Sequence, residues 1–180
     1  MRESAKQVTR EKLLEAAEQL AWESGPKNLS LDAVAARAGI SKGGLLYHFP
    51  SKAKLLKALV GNFVQRFEAE LETRVESQNN AINSTARAYL NLFVKEHESN
   101  RRPPSGLLAA MAENPDFLDP IREHQRALLD RMKQTASDPT MAMIVFLALQ
   151  GLKSMELLTM GTVNATEFAE VVEKLEEMLS

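Results

Sequence analysis

Residues 30–52 read SLDAVAARAGISKGGLLYHFPSK, and the order of residue types along this stretch decides the fold. Ser30 precedes an apolar pattern and suits the N-cap of a short helix. Asp32 falls in that helix's electropositive first turn, and Val34, Ala35 and Ala38 give it one buried side. Gly39 ends it, since glycine takes the left-handed backbone on which helices commonly stop. Ile40 then supplies an apolar plug, Ser41 a second N-cap, and a further short helix runs over about 42–49 until Pro50-Ser51-Lys52 closes it. Two short helices joined by Gly39-Ile40-Ser41, with the small Ala35 where they approach, predict a helix-turn-helix.

The second of these helices presents Lys42, Gly43, Gly44, Leu46, Tyr47 and His48. Each glycine costs a helix about 1 kcal/mol relative to alanine. Accepting that cost twice implies close backbone approach to something, for which a DNA groove is the natural candidate. Charge is distributed accordingly. Residues 1–57 carry ten Lys and Arg against six Asp and Glu, while the chain as a whole has a formal net charge of -2. A basic N-terminal part and an acidic remainder suit a phosphate-facing module attached to a body that does not touch DNA. A solvated basic face without a partner explains the charge alone equally well.

Outward from this segment the pattern is helical. Val8, Leu13, Leu14, Ala17, Leu20 and Ala21 form a stripe of period 3.6, with Thr9 as N-cap and Gly25-Pro26 as the stop. A long helix over about 53–75 carries Leu55, Leu56, Leu59, Phe63, Phe67 and Leu71 on one face. Further helices are expected at 80–98, 104–113, 116–136, 140–160 and 164–179, with Asp138 and Asn164 as caps. No run alternates with period two. The expectation is an all-α protein: an N-terminal three-helix helix-turn-helix domain (1–52) and a C-terminal helical bundle for ligand binding and dimerisation (53–180).

Hydrophobic residues at 44% and charged residues at 26% are ordinary for a globular protein. The absence of cysteine excludes disulfides and thiolate metal sites. The polar start lacks a secretory signal and no apolar run approaches the length of a membrane span, so a cytoplasmic location without membrane association is expected. There is no phosphate loop or nucleophile elbow, and His97 and His124 lack ligand spacing. Neither an enzyme, a metal site nor a cofactor is therefore indicated. A helical partner-binding or architectural protein without sequence-specific DNA binding is the alternative to a regulator.

The segment GISKGGLLYHFPSKAKLL (39–56) resembles the recognition-helix signature of the tetracycline-repressor (TetR/AcrR-type) family, and TREKLLEAAEQLAWESGPKNLSLDAVAARA (9–38) resembles that family's first two helices. The resemblance covers about the first third of the chain. It implies that Lys42 and Gly43 face base edges in the major groove and that Leu46 meets a thymine methyl. Tyr47, His48 and Lys52 would bond phosphates, with Ser30 and Ser41 adding donors at helix N-termini. Gly44 departs from the larger polar residue often found there, while Phe49 suits the core. A dimer on a pseudo-palindromic operator is implied, formed by helices 140–160 and 164–179; burial of those helices within one monomer is the alternative. The family also implies a small-molecule effector enclosed by the intervening helices. Phe93, Leu107, Leu108, Met111 and Phe117 can supply its apolar walls, together with Leu128, Met132, Phe146 and Met155, although each is equally a core residue. The basic turn Arg101-Arg102-Pro103-Pro104 can steer an anion or simply be solvated.

Overall fold

The structure, a computed structural model, describes residues 2–25, 28–79, 81–98, 105–158 and 160–180, for 2–5 and 105 the backbone only. The described residues form nine α-helices and no strand: α1 (Arg2–Ser24), α2 (Leu31–Ala38), α3 (Lys42–His48), α4 (Lys52–Ser77), α5 (Ser84–Glu98), α6 (Ser105–Glu113), α7 (Asp119–Thr135), α8 (Pro139–Leu157) and α9 (Ala165–Met178). A 3-10 turn, Pro115–Leu118, lies between α6 and α7. The helices pack as two compact units, Met1–Gln65 with Pro104–Arg122 and Arg66–Pro103 with Glu123–Ser180. These packing units differ from a division of the chain at 52/53, because α6 and the 3-10 turn belong with the helix-turn-helix.

In the first unit the caps fall where their side chains can bond backbone. Ser30 Oγ accepts the Ala33 N–H at 3.2 Å, and Ser41 Oγ accepts the Gly44 N–H at 3.1 Å. Gly39 sits at φ 67° and its N–H donates to Ala36 O, while the Ile40 N–H donates to Ala35 O at 3.0 Å. This pair of bonds satisfies two of the last four carbonyls of α2. Thr9 is not a cap: α1 starts at Arg2, so Thr9 lies inside it and Val8 is exposed rather than part of the buried stripe. Gly25, at φ 78°, does end α1, whereas Pro26 is outside the described residues. Leu13, Leu14 and Ala17 of α1 pack with Val34, Leu45, Phe49, Leu55 and Leu56, and Ala110 and Phe117 complete that core. The N-terminus of α6 comes close to α1. A Cβ on Gly106 would run into Glu18 Oε2, and the Gly106 N–H donates to Glu18 Oε1 at 3.2 Å.

The second unit is built around Phe67, Leu71, Tyr89, Phe93, Leu128, Met132, Val145, Phe146 and Leu149. Asp138 caps α8, and Asn164 with Glu167 forms a capping box on α9. α8 is long and apolar enough to cross a membrane by length and mean hydropathy (1.3) alone, which the sequence expectation had excluded. Ala142, Val145, Phe146, Leu149 and Leu152 on one side of it are buried in this core, so packing accounts for that side. On the other, Met143, Ile144 and Leu147 are exposed.

The helix expected from residue 80 starts instead at Ser84, because Asn83 adopts φ 63°. Asn83 is buried and ties together three segments. Its side chain donates to Leu179 O at 3.0 Å and accepts the Ser137 N–H at 3.1 Å, while its own N–H donates to Thr135 O at 2.8 Å. Arg87 Nε also donates to Leu179 O, at 2.8 Å. These bonds hold the C-terminal end of α9. Asn83→Ala is expected to lower unfolding free energy by about 2–4 kcal/mol, combining lost buried hydrogen bonds with a left-handed backbone that alanine resists. Asn83→Gly keeps the backbone free and should recover about 1 kcal/mol of that loss. Urea denaturation of the two variants separates the contributions.

Candidate nucleic-acid interface

α3 is amphipathic over only seven residues. Leu45 is fully buried and Phe49, just past the helix end, is 3% exposed. The same turn of backbone leaves Ser41, Lys42, Gly43, Leu46 and Tyr47 on the solvent side, with Tyr47 70% exposed despite its large ring. Leu46 and Tyr47 stand side by side on this exposed face. Ser30, at the N-terminus of α2, is also exposed. Its cap bond uses the oxygen as acceptor and leaves the O–H free to donate.

Charges surround this face. Lys42 Nζ pairs with Asp32 at 2.9 Å, with both side chains more than half exposed. Such an exposed pair contributes no more than about 1 kcal/mol, so a base edge or phosphate can compete for the ammonium. Lys52 Nζ lies 3.3 Å from Glu113 Oε2, which draws it toward α6. From α1, Lys6 Nζ stands 5.2 Å from the Tyr47 ring centre and Arg10 5.6 Å from that of Phe49. Lys6 escaped the sequence reading because α1 was started too late; a helix continuing back through Ala5 is what brings it to Tyr47. Burial first, then Lys6 and Arg10, lower the His48 pKa below its ordinary 6.5.

The two glycines have different causes. A Cβ on Gly44 would sit 2.9 Å from Ile40 Cγ2 and 3.3 Å from Ser41 Oγ, whereas one on Gly43 would meet nothing within 4 Å. The turn itself thus requires Gly44. Nothing inside the chain demands Gly43, which faces out.

The residues expected to line an effector cavity divide between the units. Leu107, Leu108, Met111 and Phe117 belong to the first, where Phe117 is core and Met111 is 44% exposed. Phe93, Leu128, Met132 and Phe146 are buried in the second, with Met155 half-buried there. Arg101 to Pro104 lie outside the described residues. Sequence reading missed a polar set within the second core. Tyr89 OH accepts from Gln150 Nε2 at 3.1 Å, Gln150 also donates to Gln125, and Lys153 Nζ lies 3.3 Å from Glu96 Oε2. The available signal was a glutamine and a lysine, three residues apart, interrupting the apolar run of α8.

A helix-turn-helix that turns an exposed tyrosine and lysine outward, attached to an all-helical second unit, defines a DNA-binding transcriptional regulator. Two family profiles agree. One described as "Bacterial regulatory proteins, tetR family" matches residues 13–59, and one described as "Tetracyclin repressor-like, C-terminal domain" matches 83–180. The chain belongs to the tetracycline-repressor family of bacterial regulators. No curated protein matches the sequence. Solved structures share the fold at low identity. The SmeT–triclosan complex has a TM-score of 0.72 at 22% identity, covering 96% of this chain and 90% of that one. Reduced NemR from E. coli scores 0.70 at 17% identity, covering 96% and 98%. The multidrug-binding protein EbrR complexed with ethidium scores 0.63 at 20% identity, covering 94% and 97%.

The glycines and His48 yield two checks. Gly43→Ala should leave thermal stability unchanged or raise it by up to about 1 kcal/mol, while Gly44→Ala should lower it; equal effects would remove the distinction. The lowered pKa keeps His48 neutral at pH 7, so its contribution to stability is present above about 6.5 and is lost as pH falls through the folded value. A phosphate beside it would reverse the preference and favour the imidazolium. DNA binding should then take up a proton, and affinity at fixed salt should rise as pH falls from 7.5 to 6.0, by no more than about tenfold per unit. His48→Gln should flatten that slope.

Proposed function

We propose that this regulator is a repressor that binds a pseudo-palindromic operator as a homodimer and is released by a small-molecule effector. The observation that carries the DNA-binding part is the outward face of α3, with Tyr47 exposed above a fully buried Leu45. Lys42 and Gly43 read base edges, Leu46 meets a thymine methyl, and Tyr47, His48, Lys52, Ser30 and Ser41 hold phosphates. Gly44 serves the turn beneath them. Because Gly43 and Leu46 make few hydrogen bonds, much of the affinity comes from phosphates and groove fit.

The dimer seam is the outer side of α8 with α9. Met143, Ile144 and Leu147 are exposed there, at 38%, 47% and 59%, and Val171 of α9 is exposed as well. Gly151 follows Leu147 by one turn, and a Cβ on it would meet nothing within 4 Å of its own chain. An exposed apolar stripe continued one turn further by a glycine suits close packing against a second copy. Effector binding in the second unit favours a conformation that changes the spacing of the two recognition helices through α4, whose residues belong to both units. It does so only to the extent that the effector prefers one conformation. Triclosan and ethidium, held by SmeT and EbrR, indicate aromatic molecules as the first effectors to test. Such a protein works in the cytoplasm, where its DNA is.

A polarisation titration against DNA flanking the protein's own gene tests this reading. A specific complex that weakens steeply with salt, and at least about tenfold with Tyr47→Ala or Lys42→Ala, supports it; no complex with any flanking fragment overturns it. Leu147→Glu should convert the dimer to monomer in light scattering and reduce operator affinity together.

A further inference from the structure

Lys52 and Glu113 each stand at the end of a helix that disfavours their charge. Lys52 is the first residue of α4, whose first turn holds Lys54 and no acidic side chain. The free N–H groups there make that turn electropositive, so a lysine costs the helix stability and an anion is favoured. Glu113 is the last residue of α6, whose last turn holds no basic side chain. A carboxylate at that electronegative end is equally misplaced. The stability of each helix taken alone would call for the opposite charge at both positions.

The two residues answer each other instead. Lys52 Nζ lies 3.3 Å from Glu113 Oε2, with the side chains 34% and 43% exposed, so the ammonium is open to an approaching anion. Among the described residues neither has another ionic partner.

The packing of α6 keeps Glu113 at this place. Ala109 and Ala110 are buried in the core that α6 shares with α1 and α4, and Phe117 enters the same core just beyond. The Asn114 N–H donates to Ala110 O at 3.0 Å, and the Asn114 side chain caps the 3-10 turn by accepting the Asp116 N–H at 2.9 Å. Lys57, further along α4, brings its Nζ to 5.0 Å from the Phe117 ring centre. At the other end of α6 the Gly106 N–H donates to Glu18 of α1. α6 is thus tied at both ends to the helices of the DNA-binding unit, with Glu113 within reach of Lys52.

We propose that Glu113 competes with DNA phosphate for the Lys52 ammonium and so lowers the affinity of the DNA-binding unit for nucleic acid. This rests on the reading of Lys52 as a phosphate contact. A phosphate arriving at Lys52 meets an ammonium already neutralised, with a carboxylate of its own sign beside it. The contact then yields less than a free lysine at a helix start would. Because Glu113 belongs to α6 and Lys52 to α4, the packing of α6 sets how much of that charge DNA can use.

A duplex of arbitrary sequence, titrated at low salt against the full-length protein by polarisation, reads phosphate affinity without requiring an operator. Glu113→Gln should tighten binding about three- to fivefold, the worth of an exposed ion pair. It should also steepen the fall of log affinity with log salt by up to about one. In a Lys52→Gln background most of that gain should vanish, because the carboxylate acts through the ammonium. Unchanged or weaker binding by Glu113→Gln overturns the proposal, and so does the same gain with and without Lys52, which would be a general field of negative charge. Tighter duplex binding that depends on Lys52, in a protein that prefers no flanking fragment, supports the competition and sinks the operator reading. An operator complex indifferent to Glu113→Gln sinks the competition and leaves the regulator standing. No binding to any duplex at low salt sinks both.

Discussion

Between Ile40 and Gly44 the chain leaves room for a hydrogen atom and little more. The γ2 methyl of Ile40 fills the space that any larger residue at 44 would need, and Ile40 is carried there by the left-handed step at Gly39, whose N–H and that of Ile40 close off α2. From this contact the direction of α3 follows. Ser41 caps α3 through the Gly44 N–H itself, so one residue satisfies the cap and the packing at once. A shift of α3 would lift Leu45 and Phe49 out of a core in which both are nearly inaccessible. The outward set of Lys42, Gly43, Leu46 and Tyr47 is a consequence of how the inward set is held, because a seven-residue helix has no third face.

The same economy governs the second unit, where burial and charge are matched less completely. Leu, Phe and Met fill most of it, yet Lys153, Glu96, His124 and Gln150 stand beside its aromatic rings. A core that needed only stability would be served as well by apolar residues of similar volume, since buried ion pairs contribute little net free energy. α8 carries two faces in one element: its inward side is core, and its outward side exposes Met143, Ile144 and Leu147.

The fold was legible wherever one residue type has one local use. Ser30, Gly39, Ser41, Asp138 and Asn164 stand where capping chemistry puts them, and these marks divide the chain into its helices. Thr9 misled because threonine caps helices but is also tolerated inside them, and the backbone beyond it continued helical to Arg2. Asn83 was invisible because a left-handed asparagine depends on partners at Thr135, Ser137 and Leu179, far away in sequence. For the interface, the motif named the residues of α3, but the separate reasons for Gly43 and Gly44 became visible only with Ile40 in place. The cluster around Lys153 draws on α4, α5, α7 and α8, and no spacing along the chain records that convergence.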